Sequence, residues 1–439
     1  MPATTHTSTP RALGLSFGFA TAVAMWAVGF ALRLPPATTP SALILFGMLA
    51  LLIAGGAAAG RAGGVAAGVW TGSVASLINL LVLGSLISGD QPNALQPSAL
   101  IWIPGSLALG AGLGALGGFL ASRGRRAFTP ADPTFVLAFV AAAATFVLIL
   151  IGGLVTSHEA GLAVVDWPNS YQYNMFLFPL AKMTGGIYYE HAHRLFGSLV
   201  GLTTVALALR VFATDSRGVV KIAAALAVLF VIGQGVLGGL RVTGHFTMSD
   251  SPEITRPSLL LAMVHGTTGQ LFFGWMVGLA AAVSPRWKRR DSSPGPAGGV
   301  DHLLTGLLLL AVIGQLVLGV RLRHLEAGAL IHITVGVTLV LFTTLIGVRM
   351  VAKHEDIPIL KNAGLRLTIA VWAQMMLGFL AYVFVGRAAT PGLADVLTAT
   401  LHQSFGALVL AQTVLAFVWS RRLLPAAGAA PALGPSPTS

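Results

Sequence analysis

The stretch that decides the fold is Val231-Ile232-Gly233-Gln234-Gly235-Val236-Leu237-Gly238, because the chain repeats it. A near copy, Val312-Ile313-Gly314-Gln315-Leu316-Val317-Leu318-Gly319, begins 81 residues later, and a third reads Gln374-Met375-Met376-Leu377-Gly378. An earlier copy, ending in Gly152-Gly153, lacks the glutamine. The apolar run that follows each copy carries a histidine. The repeats predict a two-helix unit used four times, giving eight helices in two pseudo-symmetric four-helix bundles.

The composition indicates an all-α polytopic membrane protein. Of 439 residues, 55% are hydrophobic and only 9% are charged, whereas soluble proteins carry about a quarter charged residues. Apolar runs of about twenty residues recur from end to end, long enough to cross about 30 Å of hydrocarbon as helices. The runs do not alternate apolar and polar residues, which disfavours a barrel. The twelve predicted spans are about 12–32, 41–60, 66–88, 98–122, 133–154, 190–211, 219–240, 258–283, 302–320, 328–350, 366–386 and 396–419.

The net charge of +12 fits the positive-inside rule better than nucleic-acid binding. Basic residues concentrate in alternate connections, for example Arg123, Arg125 and Arg126, then Arg289 and Arg290. This pattern predicts a bacterial inner-membrane protein with both termini in the cytoplasm. There is no cysteine, so neither disulfides nor thiolate ligands can operate.

The chain divides into regions of different chemistry. Residues 1–126 form four Gly- and Ala-rich predicted helices of unknown role. A GxGxxG string, Gly112 to Gly117, lies inside an apolar span without a preceding strand, so it indicates helix packing rather than a dinucleotide site. We predict a first four-helix bundle at 127–290, a second at 291–424 and a disordered tail at 425–439.

Four histidines occupy matching places in alternate predicted helices. Each lies about four to eight residues into its span, within about two turns of the predicted outer surface. Each is followed four residues later by a glycine, one turn deeper on the same helix face. An imidazole above a flat space suits an iron porphyrin, so the pattern predicts two haem sites on the outer side. The histidines are His193, His265, His332 and His402, and the glycines are Gly197, Gly269, Gly336 and Gly406.

The plainer interpretation of an intramembrane histidine is a hydrogen-bonded packing residue. Four histidines at the same predicted depth, each in the same place of a repeated helix pair, favour a functional role instead, because polar groups in lipid are costly. Zinc and copper fit poorly, since no cysteine or carboxylate cluster completes a tetrahedral shell. His191 points away from His193, and His245, His302 and His354 are expected to be solvated loop residues.

The stretch Glu190-His191-Ala192-His193-Arg194 carries the E-x-x-H-R pattern and resembles the haem A synthase family. Gly152-Gly153-Leu154-Val155-Thr156 and Asp166-Trp167-Pro168 resemble the first outer loop of that family. His402-Gln403 with Gly406-Ala407-Leu408 resembles its last helix. The resemblance covers about 133–420. It implies oxidation of a methyl group of haem O to a formyl group, giving haem A for cytochrome oxidase, with haem b as cofactor.

The resemblance also implies residue roles. His193 and His265 would flank the haem O substrate in the first bundle, and His332 and His402 would ligate haem b in the second. Glu190 matches the catalytic glutamate and could shuttle protons; the alternative is a helix N-terminal charge. Three further residues are candidate haem propionate contacts or interface anchors. These are Arg194 on the Glu190 helix, and Arg321 and Arg323 in a short predicted outer loop before the His332 helix.

Three departures from the family pattern stand out. The cysteine pair of many bacterial members is missing. Thr156-Ser157-His158-Glu159 replaces the usual Thr-Arg, which puts one propionate contact in doubt; His158 is a substitute or, more simply, a solvated loop residue. The four N-terminal helices are additional to the family core, and they are either a docking module or a fused domain.

Two other functions remain open. A bis-haem b electron-transfer protein would hold two haem b groups and no haem O or A; Glu190 and the same-side histidines disfavour it. A twelve-helix transporter fits the helix count, but no acidic relay lies at mid-depth. The expected partners are the lipid bilayer, haem O, a haem O synthase and other cytochrome oxidase assembly factors, without nucleic acid. A homo-oligomer is compatible with the sequence.

Overall fold

The computed structural model describes residues 9–36, 39–89, 91–123, 132–244, 252–288, 298–385 and 391–425. These ranges are mostly helical, with a loop between Ser157 and Gly185, two isolated bridges and no strand, so the predicted all-α class is confirmed. The α-helices are α1 Pro10–Leu32, α2 Ser41–Ile87, α3 Ala99–Ser122, α4 Pro133–Ser157, α5 Gly185–Thr214, α6 Gly218–Thr243, α7 Pro252–Val283, α8 Pro285–Lys288, α9 Gly299–Leu325, α10 Ala329–Lys353, α11 Pro358–Phe384 and α12 Leu393–Leu423.

The long helices account for the twelve predicted spans. Ten helices in the described ranges are long and apolar enough to cross a membrane, which identifies a multi-pass membrane protein. One of them, α2, is 47 residues long and contains two predicted spans, because Gly64 interrupts it with φ 65° and ψ −162°. Glycine tolerates this positive φ, whereas a side chain would be strained there. The remaining predicted span is α7.

Two of the helices begin with side-chain caps followed by proline. Thr9 accepts a hydrogen bond from the Ala12 amide at 3.3 Å, and Pro10 takes the first helical position of α1. Asp132 accepts from the amides of Thr134 and Phe135, and Pro133 begins α4. These caps satisfy amides that have no partner within the helix, and proline at the first position has no amide to satisfy.

Glycines hold both halves of α2 against α3. Gly56 in the first half and Gly68 in the second both lie against the backbone of Gly114, where a Cβ atom would overlap it. Gly117 packs in the same manner against Ile53. Small residues permit this close approach of membrane helices. The glycine string in α3 therefore serves helix packing, and the two halves of α2 form a helical hairpin on α3.

The chain forms two compact units, Met1–Leu261 and Ala262–Ser439. The first contains α1 to α6 with the beginning of α7, and the second contains the rest of α7 with α8 to α12. The domain boundaries inferred from sequence, after residues 126 and 290, stay predictions.

Within the first unit, α1 packs on α5. The rings of Phe30 and Tyr188 stack with centroids 5.3 Å apart, and the Tyr188 hydroxyl donates to the Phe30 carbonyl at 2.7 Å. Trp26 contacts Phe196 edge-on at 5.7 Å. Such aromatic pairs contribute about 0.5–1.5 kcal/mol each beyond area burial. The extra N-terminal helix therefore braces the helix that carries Glu190.

Within the second unit, a polar cluster joins α9, α10 and the residue that caps α10. The Asp301 carboxylate accepts from Arg349 Nε at 2.9 Å, and His354 Nε2 lies 3.4 Å from it. The expectation that His302 and His354 are solvated loop residues is wrong for both. His354 is 3% exposed, and His302 lies in α9 with Nε2 3.1 Å from the Ser420 carbonyl. His245 lies outside the described residues.

We expect Asp301→Ala to lower the free energy of unfolding by about 2 kcal/mol, measured by thermal or SDS unfolding in detergent. Breaking a buried ion pair costs about 3–5 kcal/mol, and the cost is smaller here because the Arg349 side chain is 30% exposed. Glu355→Ala is the matched control: Glu355 is 77% exposed and pairs with Lys361 at 3.6 Å, an arrangement worth about 0–1 kcal/mol. Equal losses in the two variants would contradict this account.

Candidate functional site

The second unit brings two of the predicted histidines together. His332 on α10 and His402 on α12 have ring centroids 6.2 Å apart and ring planes at 84°. A metal bound to one nitrogen of each ring at about 2 Å, with the nitrogen about 1 Å from the ring centre, requires centroids about 6 Å apart. The separation is therefore compatible with two imidazoles on opposite sides of one iron atom.

A glycine on the preceding helix receives each of these imidazoles. A Cβ atom at Gly319 on α9 would lie 3.1 Å from His332 Cε1, and one at Gly378 on α11 would lie 2.9 Å from His402 Cε1. Neither distance leaves room for a side chain without movement of the ring. The last glycine of each repeat thus makes the notch in which the histidine of the next helix lies.

The glutamine of each repeat engages the same histidine. Gln315 Nε2 lies 3.2 Å from His332 Nδ1 and donates to the His332 carbonyl at 2.9 Å. Gln374 Nε2 makes the same two contacts with His402 at 3.1 and 3.0 Å. The two helix pairs, α9 with α10 and α11 with α12, therefore repeat in side-chain contacts as well as in sequence.

The positions of the two glutamines show that one sequence-based prediction is wrong for the second unit. From the sequence, the space beside the glycine four residues after each histidine was expected to hold a porphyrin. In the second unit that space holds the glutamine: a Cβ at Gly336 would lie 3.0 Å from Gln315 Nε2, and one at Gly406 would lie 3.4 Å from Gln374 Nε2. At Gly197, in the first unit, no atom lies within 4 Å of the Cβ position.

The histidine pair is not part of a larger group of metal-ligating side chains in the part of the chain that the structure describes. Within the described ranges no group of three His, Cys, Asp or Glu residues is placed to hold a metal ion. A closed tetrahedral shell, typical of zinc, is therefore not formed there. Two imidazoles facing each other suit an iron whose other four ligands come from a porphyrin.

In the first unit, Glu190 is the buried acid. It lies in the second turn of α5 and is 6% exposed. Arg194 Nε donates to its Oε1 at 3.2 Å, and Arg241 on α6 is a second cation that interacts with it. His193 lies three residues after Glu190, next to Gly152 on α4, where a Cβ atom would be 3.2 Å from its Cε1. The carboxylate and the imidazole therefore share one end of the first unit.

Arg194 binds the loop that precedes α5. Its Nη atoms donate to the carbonyls of Asp166 at 2.6 Å, Asn169 at 2.9 Å and Val164 at 2.6 Å. Guanidinium donors directed at carbonyls and a carboxylate hold a loop in one geometry. The position of Arg194 is thus explained by loop anchoring, and its propionate contact stays a prediction.

Arg241 is a site residue that the sequence interpretation counted only as a charge in an outer connection. Its guanidinium lies against Gly161 of the loop, where a Cβ atom would be 2.6 Å from Nη2. Two residues earlier on α6, Gly239 receives the ring of Trp167. The ring of Trp167 against Gly239 and the guanidinium of Arg241 against Gly161 therefore hold the loop on α6, and the positive charge of Arg241 acts on Glu190. In the sequence, the only indication of this role was that Gly239 and Arg241 stand two residues apart at the end of a predicted helix.

The remaining predicted residues lie as follows. Arg321 and Arg323 are exposed and belong to the last turns of α9, not to a loop as predicted from sequence. Cations there complement the helix dipole, and they follow Gly319 directly, on the end of α9 nearest His332. His265 lies on α7, which passes from one unit to the other, and its pairing with His193 stays a prediction.

Two loop-side histidines have other partners. His191 is fully buried and its Nδ1 lies 3.0 Å from Ser170 Oγ, which agrees with the expectation that it points away from His193. His158 is exposed and stacks on Tyr189 with centroids 4.1 Å apart. Partial desolvation lowers the pKa of His158 below its ordinary value, which favours the neutral imidazole.

The fold and the site define a class: a multi-pass helical membrane protein with a histidine pair in one unit and a buried glutamate next to a histidine in the other. Residues 135–331 match the COX15-CtaA family, described as cytochrome oxidase assembly protein. The matched segment contains Glu190, His193 and His265, and the match supports a role in cytochrome oxidase assembly. No curated protein matches the chain significantly.

Proposed function

We propose that the protein is a haem A synthase, which oxidises one methyl group of haem O to a formyl group. The observation that carries the proposal is Glu190, a buried carboxylate three residues before His193 that accepts a hydrogen bond from Arg194. It lies in a segment that matches a cytochrome oxidase assembly family. Written with water as the oxygen source, the conversion removes four electrons and four protons from the substrate and water, so it needs both a proton acceptor and an electron acceptor.

Glu190 is the proposed proton acceptor. Arg194 Nε occupies Oε1, so the proton transfer is assigned to Oε2. Arg194 holds the carboxylate through this hydrogen bond, the positive charge of Arg241 favours its ionised form, and both arginines contact the loop before α5. A positioned base of this kind accelerates proton transfer about 10²–10⁴-fold. His193 is the proposed contact to the substrate iron.

His332 and His402 are the proposed ligands of haem b. When bound, haem b supplies one-electron transfer to and from the external electron partner. The two imidazoles hold their rings 6.2 Å apart, and the glycine notches at Gly319 and Gly378 keep them in place. The basic residues Arg349 and Lys353 of α10 lie at the opposite end of the helix from His332. With the positive-inside rule, this supports placing the histidines at the outer face of a bacterial inner membrane.

Extraction of the haems tests the proposal. The protein is purified in detergent from cells that also express a haem O synthase, and the extracted haems are separated and weighed by mass spectrometry. We expect haem b together with haem O or haem A. Haem b alone, at two groups per chain, would favour the electron-transfer protein, and a preparation without haem would favour the transporter.

A further inference from the structure

The repeated glutamines have no part in the proposed reaction, yet they make the most regular polar contacts in the second unit. Gln315 and Gln374 lie on different helices and bind different histidines, but their corresponding distances agree within 0.1 Å. In each case the amide reaches Nδ1 and the backbone carbonyl of the same histidine. Helix packing alone does not require a polar group at these positions, because an apolar side chain of similar size would fill the same space.

We propose that Gln315 and Gln374 are positioning residues that set the orientation and the protonated nitrogen of His332 and His402, and thereby tune the metal they hold. The inference rests on the proposed function, since it concerns the proposed haem b ligands. Each glutamine engages Nδ1, which leaves Nε2 of each ring for the iron. Partners of this kind fix the ring and raise the basicity of the metal-bound nitrogen.

The amide group suits this role in two states. Without iron, the Nε2 hydrogens of the glutamine bond to the Nδ1 lone pair, as the 3.2 and 3.1 Å contacts indicate. With iron on Nε2 of the imidazole, Nδ1 carries a proton and needs an acceptor. The Oε1 atoms of Gln315 and Gln374 are buried, and no hydrogen-bond partner for them lies among the residues that the structure describes. A half-turn of the amide places that oxygen on the Nδ1 proton, in exchange for the hydrogen bond from Nε2 to the histidine carbonyl.

The two repeats also explain why glycine follows each histidine in this unit. The amides lie at Gly336 and Gly406, where a Cβ atom would be 3.0 and 3.4 Å from the glutamine Nε2. The Q-x-x-x-G motif of one helix and the H-x-x-x-G motif of the next are therefore complementary. The first glycine receives the imidazole, and the second admits the glutamine.

Substitution of the glutamines tests the proposal in the full-length protein. Gln315→Leu and Gln374→Leu remove the hydrogen bond, and Gln315→Glu and Gln374→Glu keep an acceptor of the same size. Gln412→Leu is the control: its amide oxygen is also buried without a partner, but it lies ten residues beyond His402 on α12. The readouts are retention of protohaem by the purified protein and its midpoint potential.

We expect each leucine variant to weaken haem retention about 10- to 100-fold and to raise the midpoint potential. If the loss of affinity is ten times larger for ferric haem than for ferrous haem, the midpoint potential rises by about 59 mV for this one-electron couple. The glutamate variants should retain haem and shift the potential downward, because a charged acceptor strengthens donation from the imidazole. Gln412→Leu should change neither quantity.

The outcomes separate this inference from the proposed function. If the wild type holds haem b and the leucine variants match it in retention and potential, the positioning role is overturned and the synthase proposal stands. If the wild type holds no haem b, both are overturned. Should the leucine variants not fold, the glutamate variants decide: an unchanged potential overturns the inference, and a lowered one supports it.

Discussion

Glu190→Gln is expected to reduce haem A formation by at least about 100-fold while haem b content stays unchanged. Glutamine preserves the size of the side chain and can still accept from Arg194 Nε, now 3.2 Å from Oε1, but it cannot take up a proton. Loss of a positioned base costs about 10²–10⁴-fold. The measurement is the ratio of haem A to haem O extracted from cells that express a haem O synthase.

Glu159→Gln is the control for this variant. Glu159 is exposed in the same loop region, where its backbone has φ 54°, and it makes no contact with Glu190 that the structure describes. We expect it to leave the haem ratio unchanged. Normal haem A in Glu190→Gln would assign Glu190 a purely structural part as the partner of Arg194.

His402→Gly is expected to remove the low-spin haem b spectrum and to lower haem b content more than about 10-fold. Loss of one of two axial imidazoles leaves the iron five-coordinate, and loss of a ligand costs at least as much as the 10- to 100-fold measured for ligand-supporting groups. His332→Gly should behave in the same way. Optical spectra and haem quantification of the purified variants are the measurements.

Two further experiments separate ligand loss from misfolding. Added imidazole should restore the low-spin spectrum of His402→Gly, because Gly378 and Gln374 still shape the empty ring position. His354→Ala is the matched control, since His354 is buried in the same unit but pairs with Asp301. We expect His354→Ala to retain haem b. A normal spectrum in both histidine-to-glycine variants would overturn the assignment of these ligands.

Local features of the chain predicted the membrane helices and the candidate residues. Apolar runs of sufficient length must be helical in lipid, so the spans follow from composition along the chain. The confirmed spans include the two joined in α2, where Gly64 marks the boundary. The histidines and Glu190 were found because repeats and the E-x-x-H-R pattern are visible in one dimension. The same repeats contain Gln315 and Gln374, but the sequence did not show that these glutamines bind His332 and His402.

Predictions that depended on the partner of a side chain were less complete. His354 looked like a loop histidine, yet it is buried against Asp301, 53 positions earlier in the chain. Arg194 looked like a propionate contact, yet its donors face the carbonyls of Val164, Asp166 and Asn169. Arg241 was predicted to be only a basic residue of an outer connection, yet its guanidinium lies against Gly161 of the loop before α5. In each case the partner comes from another helix or loop.

By itself, the sequence determined an all-α membrane protein with repeated helix pairs, the set of histidines and the acidic residue to examine, because hydrophobic length and residue periodicity are local properties. Only the tertiary structure decided that the two halves of α2 fold back on α3, that the glutamine of one helix binds the histidine of the next, and that Arg194 of the Glu190 helix binds the loop before it. These contacts join residues far apart in the chain. They depend on how closely glycines let two helices approach and on the direction in which each side chain leaves its helix.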